Sequence, residues 1–129
     1  MKVYFPGKFQ PPHIGHIITI SKIIKQYKNV IIGITCDDPR IVDPNEVKEI
    51  FQEIFWNAHI EYHVLEGTLT KGEGKLPNFD LLLSGNRAVL VWGLKNGYAV
   101  KEVSRSEGIG QSGREIRRLL NDKNENDSS

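Results

Sequence analysis

Residues 30–36, Val-Ile-Ile-Gly-Ile-Thr-Cys, form a continuous apolar run of strand length, and they constrain the fold more than any other segment. A strand that lacks alternating polar residues has both of its faces covered, as at the centre of a parallel sheet. Residues 2–5 read as an earlier strand, and a stripe of isoleucines at helical spacing lies between the two. Because parallel strands need a long crossover connection, these segments predict a right-handed βαβ unit.

Strands and helices alternate along the rest of the chain. Asp43 is a good helix cap and Pro44 suits the first helical position, so a second helix is predicted to begin there. Further strands are predicted over residues 60–65, 79–83 and 98–103, a helix over residues 87–96 that Gly97 ends, and a loop over residues 66–78. A final helix is predicted to begin at Ser112, which forms a capping box with Glu115.

This alternation predicts the fold class and the domain organisation. Residues 1–120 are expected to form a single domain with an open, mostly parallel α/β sheet of five strands and helices on both faces. Residues 121–129 are polar, have nothing to bury and are predicted to be disordered.

The charge balance and the single cysteine limit the partners and the location. Seventeen basic and sixteen acidic residues give a net charge of +1, so the chain as a whole does not attract nucleic acid or membranes. An anion site must therefore be local, which favours a small phosphorylated ligand. Cys36 is alone, no signal-like segment precedes Lys2, and no apolar run approaches bilayer length, so the cytoplasm is expected. The sequence leaves a homo-oligomer open.

The turn between the first strand and the first helix concentrates groups that bind anions. Residues 7–16 read Gly-Lys-Phe-Gln-Pro-Pro-His-Ile-Gly-His, and Gly15 allows a ligand to approach closely as the helix begins with His16. A helix N-terminus carries roughly half a positive charge and several unpaired N–H groups. Lys8, His13 and His16 add directed donors, so the turn predicts a phosphate site. A zinc site at the two histidines is disfavoured, because no cysteine or carboxylate lies at ligand spacing.

A second phosphate-binding pattern lies near the end of the chain. It combines the glycine spacing G-x-G-x-x-G with a capping serine and three arginines: Gly108, Gly110, Gly113, Ser112, Arg114, Arg117 and Arg118. The glycines expose backbone N–H groups at a helix start, and the guanidinium groups can clamp a pyrophosphate. The pattern is not a dinucleotide fingerprint, because that motif belongs after the first strand of the fold.

The predicted topology brings these segments to one edge of the sheet. In open parallel sheets, ligands bind beyond the carboxyl ends of the strands, where the winding direction reverses. If the first and fourth strands are neighbours, three segments share that edge. They are the turn at residues 7–16 (the histidine turn), the Ser84-Gly85-Asn86 turn, and the segment from Gly108 to Arg118 (the arginine-rich segment). Asp37, Asp38 and Arg40 follow the second strand and are assigned to an acceptor substrate, with a plain polar turn as the equal alternative. Trp92 is assigned to the acceptor as well, with a core or rim aromatic as the alternative.

The histidine turn resembles the (H/T)xGH signature of the nucleotidyltransferase superfamily. Its wording is most similar to the nicotinamide mononucleotide adenylyltransferase branch, especially the archaeal form, although Lys8 stands where that branch usually has arginine. The arginine-rich segment resembles the second signature of the superfamily, ISxTxxR, with Ser112 and Arg117 in register and Arg114 at the threonine position. The resemblance covers residues 2–120 and implies a Rossmann-like fold.

The resemblance also implies an activity and a set of site residues. It implies an enzyme that transfers a nucleoside monophosphate, AMP from ATP by preference, to a small phosphorylated acceptor such as nicotinamide mononucleotide and releases pyrophosphate. Mg²⁺ is expected on the NTP phosphates, because no pair of carboxylates offers a dedicated cage. The residues expected to act in catalysis are Lys8, His13, His16 and Arg117. The residues expected to bind the nucleotide are Gly7, Phe9, Gln10, Gly15, Ser84, Gly85, Asn86, Gly110, Ser112, Gly113, Arg114 and Arg118.

Two other functions stay open at the level of the sequence. Arg105-Ser106-Glu107-Gly108 is similar to an element of the minimal cytidylyltransferases, which use CTP with a sugar or polyol phosphate. Arg114 in place of threonine favours a nucleotide-binding regulator that has the fold but weakened catalysis.

Overall fold

The computed structural model describes residues 1–36 and 41–103, and its elements alternate as the sequence predicts. They are, in chain order, β1 (Lys2–Gly7), α1 (Ile14–Gln26), β2 (Asn29–Thr35), α2 (Pro44–Ile54), β3 (Ile60–Leu65), a 3₁₀ turn (Leu69–Lys71), β4 (Leu81–Ser84), α3 (Arg87–Lys95) and β5 (Ala99–Glu102). The predicted last helix and the predicted disordered tail lie outside the described residues.

The five strands form one parallel sheet in the order β3-β2-β1-β4-β5. The first and fourth strands are neighbours, which is the condition for the histidine turn and the Ser84-Gly85-Asn86 turn to share an edge, since Val3 pairs with Leu81 and Tyr4 with Leu82. Successive strands are added on one side of β1 up to β3 and on the other side from β4 onward. The connections after β1 and β4 therefore diverge and leave a crevice at the carboxyl edge, as in other Rossmann-like folds.

The sheet is covered on both faces, which confirms the predicted layers. One face packs against α1 and α2, and its buried core consists of Val3, Phe5, Phe9, Ile20, Ile23, Val30, Ile32, Ile34, Val47, Phe51, Phe55 and Leu83. The other face buries Tyr4, Ile31 and Leu82 beneath α3 and the connection between β3 and β4. Right-handed crossovers in opposite directions require this division of the helices between the two faces.

The connection between β3 and β4 differs from the predicted loop. Leu69–Lys71 form a single 3₁₀ turn, and Leu69 is buried. One turn of three residues is too short to produce a readable period, so the sequence gives no signal for it. Phe79 was expected in the fourth strand, but its ring stacks on Tyr4 at 4.9 Å and the strand begins at Leu81.

The helix ends follow the predicted capping chemistry. Asp43 caps α2 by accepting a hydrogen bond from the Asn45 N–H at 2.8 Å. Gly97 has a φ of 83° after the end of α3, and the Tyr98 N–H donates to the Gly93 carbonyl at 2.9 Å. This pattern is a Schellman motif, in which glycine adopts the left-handed conformation that other residues avoid.

Tyr62→Phe is expected to stabilise the fold. The Tyr62 hydroxyl is buried and has no hydrogen-bond partner within the described residues, so its removal should raise the free energy of unfolding by about 1 kcal/mol at neutral pH. Urea unfolding of the variant and the parent measures this difference. A less stable variant at neutral pH would contradict the account.

The same hydroxyl gives the fold an alkaline limit. Burial raises the pKa of Tyr62 from 10.0 to about 12, and burial also raises the pKa of Tyr4. The folded state holds these protons more tightly than the unfolded state does. Deprotonation therefore favours the unfolded state, so these groups leave the free energy of unfolding independent of pH below pH 10 and lower it as the pH rises toward 12. Tyr62→Phe should make this alkaline loss shallower.

Candidate functional site

The turns that follow β1 and β4 meet at the carboxyl edge of the sheet. Residues 8–13 connect β1 to α1, and residues 85–86 connect β4 to α3. The Val103 N–H donates to the Ser84 carbonyl at 3.0 Å, so the chain leaves β5 beside the end of β4. The structure thus brings the histidine turn and the Ser84-Gly85-Asn86 turn to the edge at which the topology opens a crevice.

His13 and His16 form the capping box of α1. His13 is the N-cap, and its Nδ1 accepts a hydrogen bond from the Gly15 N–H at 3.1 Å. The Nδ1 of His16 accepts in turn from the His13 N–H at 3.1 Å. This reciprocal arrangement is the one that serine or threonine forms with glutamate or glutamine at other helix starts. The sequence-based expectation that the helix begins with His16 is therefore wrong, because His13 supplies the cap and Ile14 is the first helical residue.

The capping box also fixes which ring nitrogen carries a proton. A neutral imidazole accepts with one nitrogen and donates with the other, so the neutral rings of His13 and His16 carry their protons on Nε2. The two rings stack with centroids 3.7 Å apart and planes 26° from parallel. Two N–H donors on adjacent rings therefore lie at the positive end of the α1 dipole, an arrangement suited to a phosphate.

Phe9 lies beneath the capping box. Its ring is 3% exposed and stands nearly perpendicular to the rings of His16 and Phe51, at centroid distances of 4.8 and 5.0 Å. A Cβ on Gly7 would lie 2.6 Å from Cζ of Phe9, so Gly7 is needed for this packing. Sequence reasoning assigned both residues to the nucleotide and missed their mutual contact. An aromatic residue inside a polar turn is the signal that could have revealed it.

Gln10 ties the histidine turn to the start of α2. Its Nε2 donates to the Val42 carbonyl at 2.6 Å, and its Oε1 accepts from the N–H groups of Ile41 and Val42 at 2.7 and 2.6 Å. The amide expected at the nucleotide thus makes three hydrogen bonds to the backbone that precedes the Asp43 cap. Partners more than thirty residues away leave no local pattern in the sequence, so the sequence did not predict these hydrogen bonds.

The Ser84-Gly85-Asn86 turn is a strand-to-helix cap at the same edge. Ser84 Oγ accepts from the Asn86 N–H at 3.0 Å, and Asn86 Oδ1 accepts from the Ala88 N–H at 2.9 Å. Ser84 is buried, whereas Gly85 and Asn86 are exposed. The turn therefore leaves Gly85 and Asn86 exposed at the carboxyl edge of the sheet.

Trp92 is not brought to this edge. It lies in the second half of α3, which runs from the carboxyl edge back toward the amino edge, and its ring stacks on Tyr98 at 5.8 Å. Tyr98 immediately precedes β5, so this contact lies at the opposite end of the sheet. The other expected acceptor residues, Asp37, Asp38 and Arg40, and the arginine-rich segment lie outside the described residues.

The described part of the chain offers no cage for a metal ion. Within residues 1–36 and 41–103, no three histidine, cysteine, aspartate or glutamate side chains are grouped so that they could hold one. None of the helices in those ranges has the length and apolar character needed to cross a membrane.

Comparison with known proteins agrees with this geometry. The model of a family described as Cytidylyltransferase-like matches residues 4–63, which include the histidine turn. Nicotinamide-nucleotide adenylyltransferase 1 of Sulfolobus acidocaldarius is 29% identical over 136 residues, covering 93% of this chain and 78% of that protein. The nicotinamide-nucleotide adenylyltransferase of Methanosarcina acetivorans is 25% identical over 141 residues, covering 93% of this chain and 77% of that protein.

A solved structure has the same fold. It is a bifunctional NMN adenylyltransferase/ADP ribose pyrophosphatase from Francisella tularensis, complexed with AMP and a manganese ion. The TM-score is 0.56 at 14% identity, and the match covers 93% of this chain but 42% of that one. The matched family model, the relatives and the histidine turn at the switch point of the sheet agree, and the chain is similar to the cytidylyltransferase-like family of HxGH nucleotidyltransferases.

Proposed function

We propose that this protein is an adenylyltransferase that moves AMP from ATP to the phosphate of nicotinamide mononucleotide and releases pyrophosphate. The observation that carries the proposal is the capping box of His13 and His16, which sets two imidazole N–H donors at the start of α1. The activity named for the relatives from Sulfolobus acidocaldarius and Methanosarcina acetivorans supports the choice of substrates.

The proposed reaction is a single in-line displacement. A phosphate oxygen of the acceptor attacks the α-phosphorus of ATP, a new P–O bond forms, and the bond from that phosphorus to the bridging oxygen breaks. The bonding electrons leave with pyrophosphate. The acceptor phosphate is largely ionised at neutral pH, so no general base is required. The chain needs only to position the reactants and to neutralise charge as it moves to the leaving group.

Each part of the histidine turn has a role in that step. The Nε2–H groups of His13 and His16 donate to the α-phosphoryl and bridging oxygens, where charge develops. Lys8, which is half-buried in the same turn, neutralises the triphosphate. The backbone of Gly7 and Gly15 allows the nucleotide to approach. Mg²⁺ carried by the NTP phosphates supplies further charge neutralisation when it is bound.

Further residues are assigned to the proposed site. The Ser84-Gly85-Asn86 turn packs against the base and the ribose. Arg117, with Arg114 or Arg118, is assigned to the β- and γ-phosphates, and Gly110, Ser112 and Gly113 are assigned as backbone donors. Asp37, Asp38 and Arg40 contact the acceptor.

A panel of substrates tests the proposal. The full chain is incubated with Mg²⁺, with ATP or CTP, and with nicotinamide mononucleotide, a sugar phosphate or a polyol phosphate, and pyrophosphate is measured. We expect release with ATP and nicotinamide mononucleotide. Release with CTP and a polyol or sugar phosphate would establish a cytidylyltransferase instead. Nucleotide binding without turnover in any combination would favour the regulator suggested by Arg114.

Arg117→Ala is expected to weaken ATP binding about tenfold to a hundredfold and to lower kcat, because a charge-assisted hydrogen bond to the leaving phosphates is lost. AMP lacks those phosphates, so its affinity should stay within about twofold of the parent. Isothermal calorimetry with ATP and AMP measures both, with Lys95→Ala at the far end of α3 as the control. Equal losses for ATP and AMP would contradict the assignment of Arg117 to the leaving group.

A further inference from the structure

We propose that Phe9 is a positioning residue for His16, which it holds in the plane that the transfer reaction requires. The inference rests on the proposed function for the identity of the reaction, but the contact between the two rings does not. Phe9 is only 3% exposed, so it has almost no surface that a substrate could contact. Its influence on a bound nucleotide must therefore pass through its neighbours.

The backbone of Phe9 is in a conformation that bulky residues rarely adopt. Its φ of 52° lies in the left-handed region, and it is the one residue other than glycine with a positive φ in the described part of the chain. Such a conformation persists only where the surroundings enforce it, and it is concentrated at functional sites. Here the surroundings are specific: Phe51 of α2 packs perpendicular to the Phe9 ring, and Gly7 leaves the space that the ring fills.

Two consecutive residues of the histidine turn are thus fastened to α2. Phe9 contacts Phe51 in the last turn of that helix, and Gln10 is hydrogen-bonded to the backbone just before the helix begins. This double attachment makes α2 the fixed support of the turn. The positive φ of Phe9 then directs its ring toward the start of α1, where the ring contacts His16.

Contacts with His13 and Phe9 help to set the orientation of the His16 imidazole. Its Nδ1 accepts from the His13 N–H, its face stacks on the His13 ring, and the Phe9 ring stands at 86° to it. A hydrogen bond at Nδ1 does not by itself define the plane of the ring. The His13 ring limits tilting on one side, and the Phe9 ring provides the second, perpendicular surface. The direction of the Nε2–H bond follows from the plane so defined.

A donor that stabilises developing charge is sensitive to small errors of position. Displacements of about 1 Å can cost as much as a hundredfold in rate. Phe9→Leu keeps an apolar side chain at the site but removes the flat surface, so it should let the imidazole tilt. We expect kcat for nucleotidyl transfer to fall about tenfold to a hundredfold, with KM for ATP within about twofold of the parent, because the donor acts mainly in the transition state.

The test pairs kinetics with a spectroscopic readout in the free protein. The NMR signal of the His16 Hε1 proton, assigned by its absence in His16→Gln, reports the ring contacts without any substrate. Phe9→Leu should shift this signal and lower kcat. Phe55→Leu is the matched control, because Phe55 belongs to the same buried cluster and packs on Phe51 at 6.3 Å without a contact to His16. Phe55→Leu should lose stability but keep the His16 signal and kcat.

The outcomes separate this inference from the proposed function. An unchanged His16 signal and an unchanged kcat in Phe9→Leu would overturn the positioning role, and so would an equal loss of kcat in Phe55→Leu. If Phe9→Leu does not fold, Phe9→Met, whose flexible side chain can fill irregular gaps but lacks the flat ring, carries the same expectations. A parent protein without turnover on any nucleotide would overturn the proposed function, while the NMR comparison would still decide the role of Phe9.

Discussion

His16→Gln should lower kcat for nucleotidyl transfer about a hundredfold to a thousandfold while ATP affinity and the melting temperature stay close to those of the parent. This loss of kcat is of the size expected when one preorganised hydrogen-bond donor is removed from a site where negative charge develops. Stability should be retained because glutamine at this position can accept the hydrogen bond from the His13 N–H and keep the capping box closed. Catalysis should nevertheless be lost, because glutamine lacks the imidazole Nε2–H that the ring stacked on His13 provides.

His16→Ala is the companion variant that separates catalysis from capping. Alanine removes the imidazole donor and the capping interaction together, so we expect the same loss of kcat with about 1 kcal/mol less stability. Pyrophosphate release and thermal unfolding, measured on both variants and the parent, distinguish the two effects. If His16→Gln folds like the parent and retains most of its turnover, the histidine turn does not stabilise the transferred phosphoryl group.

Gly33→Ala is expected to cost about 3 kcal/mol or more of folding stability. An added Cβ would lie 2.2 Å from Oη and 2.4 Å from Cζ of Tyr4, far inside contact distance. Tyr4 cannot move aside easily, because it is fully buried, its ring stacks on Phe79 and its hydroxyl contacts His63 Nδ1 at 3.2 Å. Overpacking at a site that cannot relax is among the most destabilising single changes.

Two comparisons test that explanation by urea unfolding. Gly72 has a φ of 71° with open space around it, so Gly72→Ala should cost only about 1 kcal/mol, from backbone strain alone. In a Tyr4→Leu background, Gly33→Ala should cost much less than it does in the parent, because the obstructing ring is gone. A small cost for Gly33→Ala in the parent would mean that the Tyr4 ring can shift.

The elements that the sequence predicts well are those with a strong local pattern. The apolar run of β2, the Asp43-Pro44 start of α2 and the glycine that ends α3 each depend on neighbours within a few residues. The handedness of the crossovers predicts the face of the sheet on which each helix lies, whereas the pairing of β1 with β4 is established only by the structure. The carboxyl edge of the sheet could be predicted as the place of the site, but the contacts within the site could not.

The details of the site depend on contacts that no local pattern encodes. Gln10 finds its partners across the β2–α2 connection, and Phe9 turns inward because its backbone adopts a positive φ. Histidines seldom form a capping box, so the pattern His13-x-x-His16 predicts ligand binding more readily than helix capping. Trp92 is close to the site along the chain, but α3 carries it to the opposite edge, where it packs on Tyr98.

The central claim is that the protein catalyses direct nucleotidyl transfer at this edge of the sheet. Phosphorus-31 NMR of the full chain with ATP, Mg²⁺ and nicotinamide mononucleotide tests it most directly, with intact-mass spectrometry of the protein on the same samples. We predict equal amounts of dinucleotide and pyrophosphate, no pyrophosphate when the acceptor is left out, and an unmodified protein mass throughout. Acceptor-independent release of pyrophosphate, or a nucleotidyl group covalently attached to the protein, would contradict direct transfer.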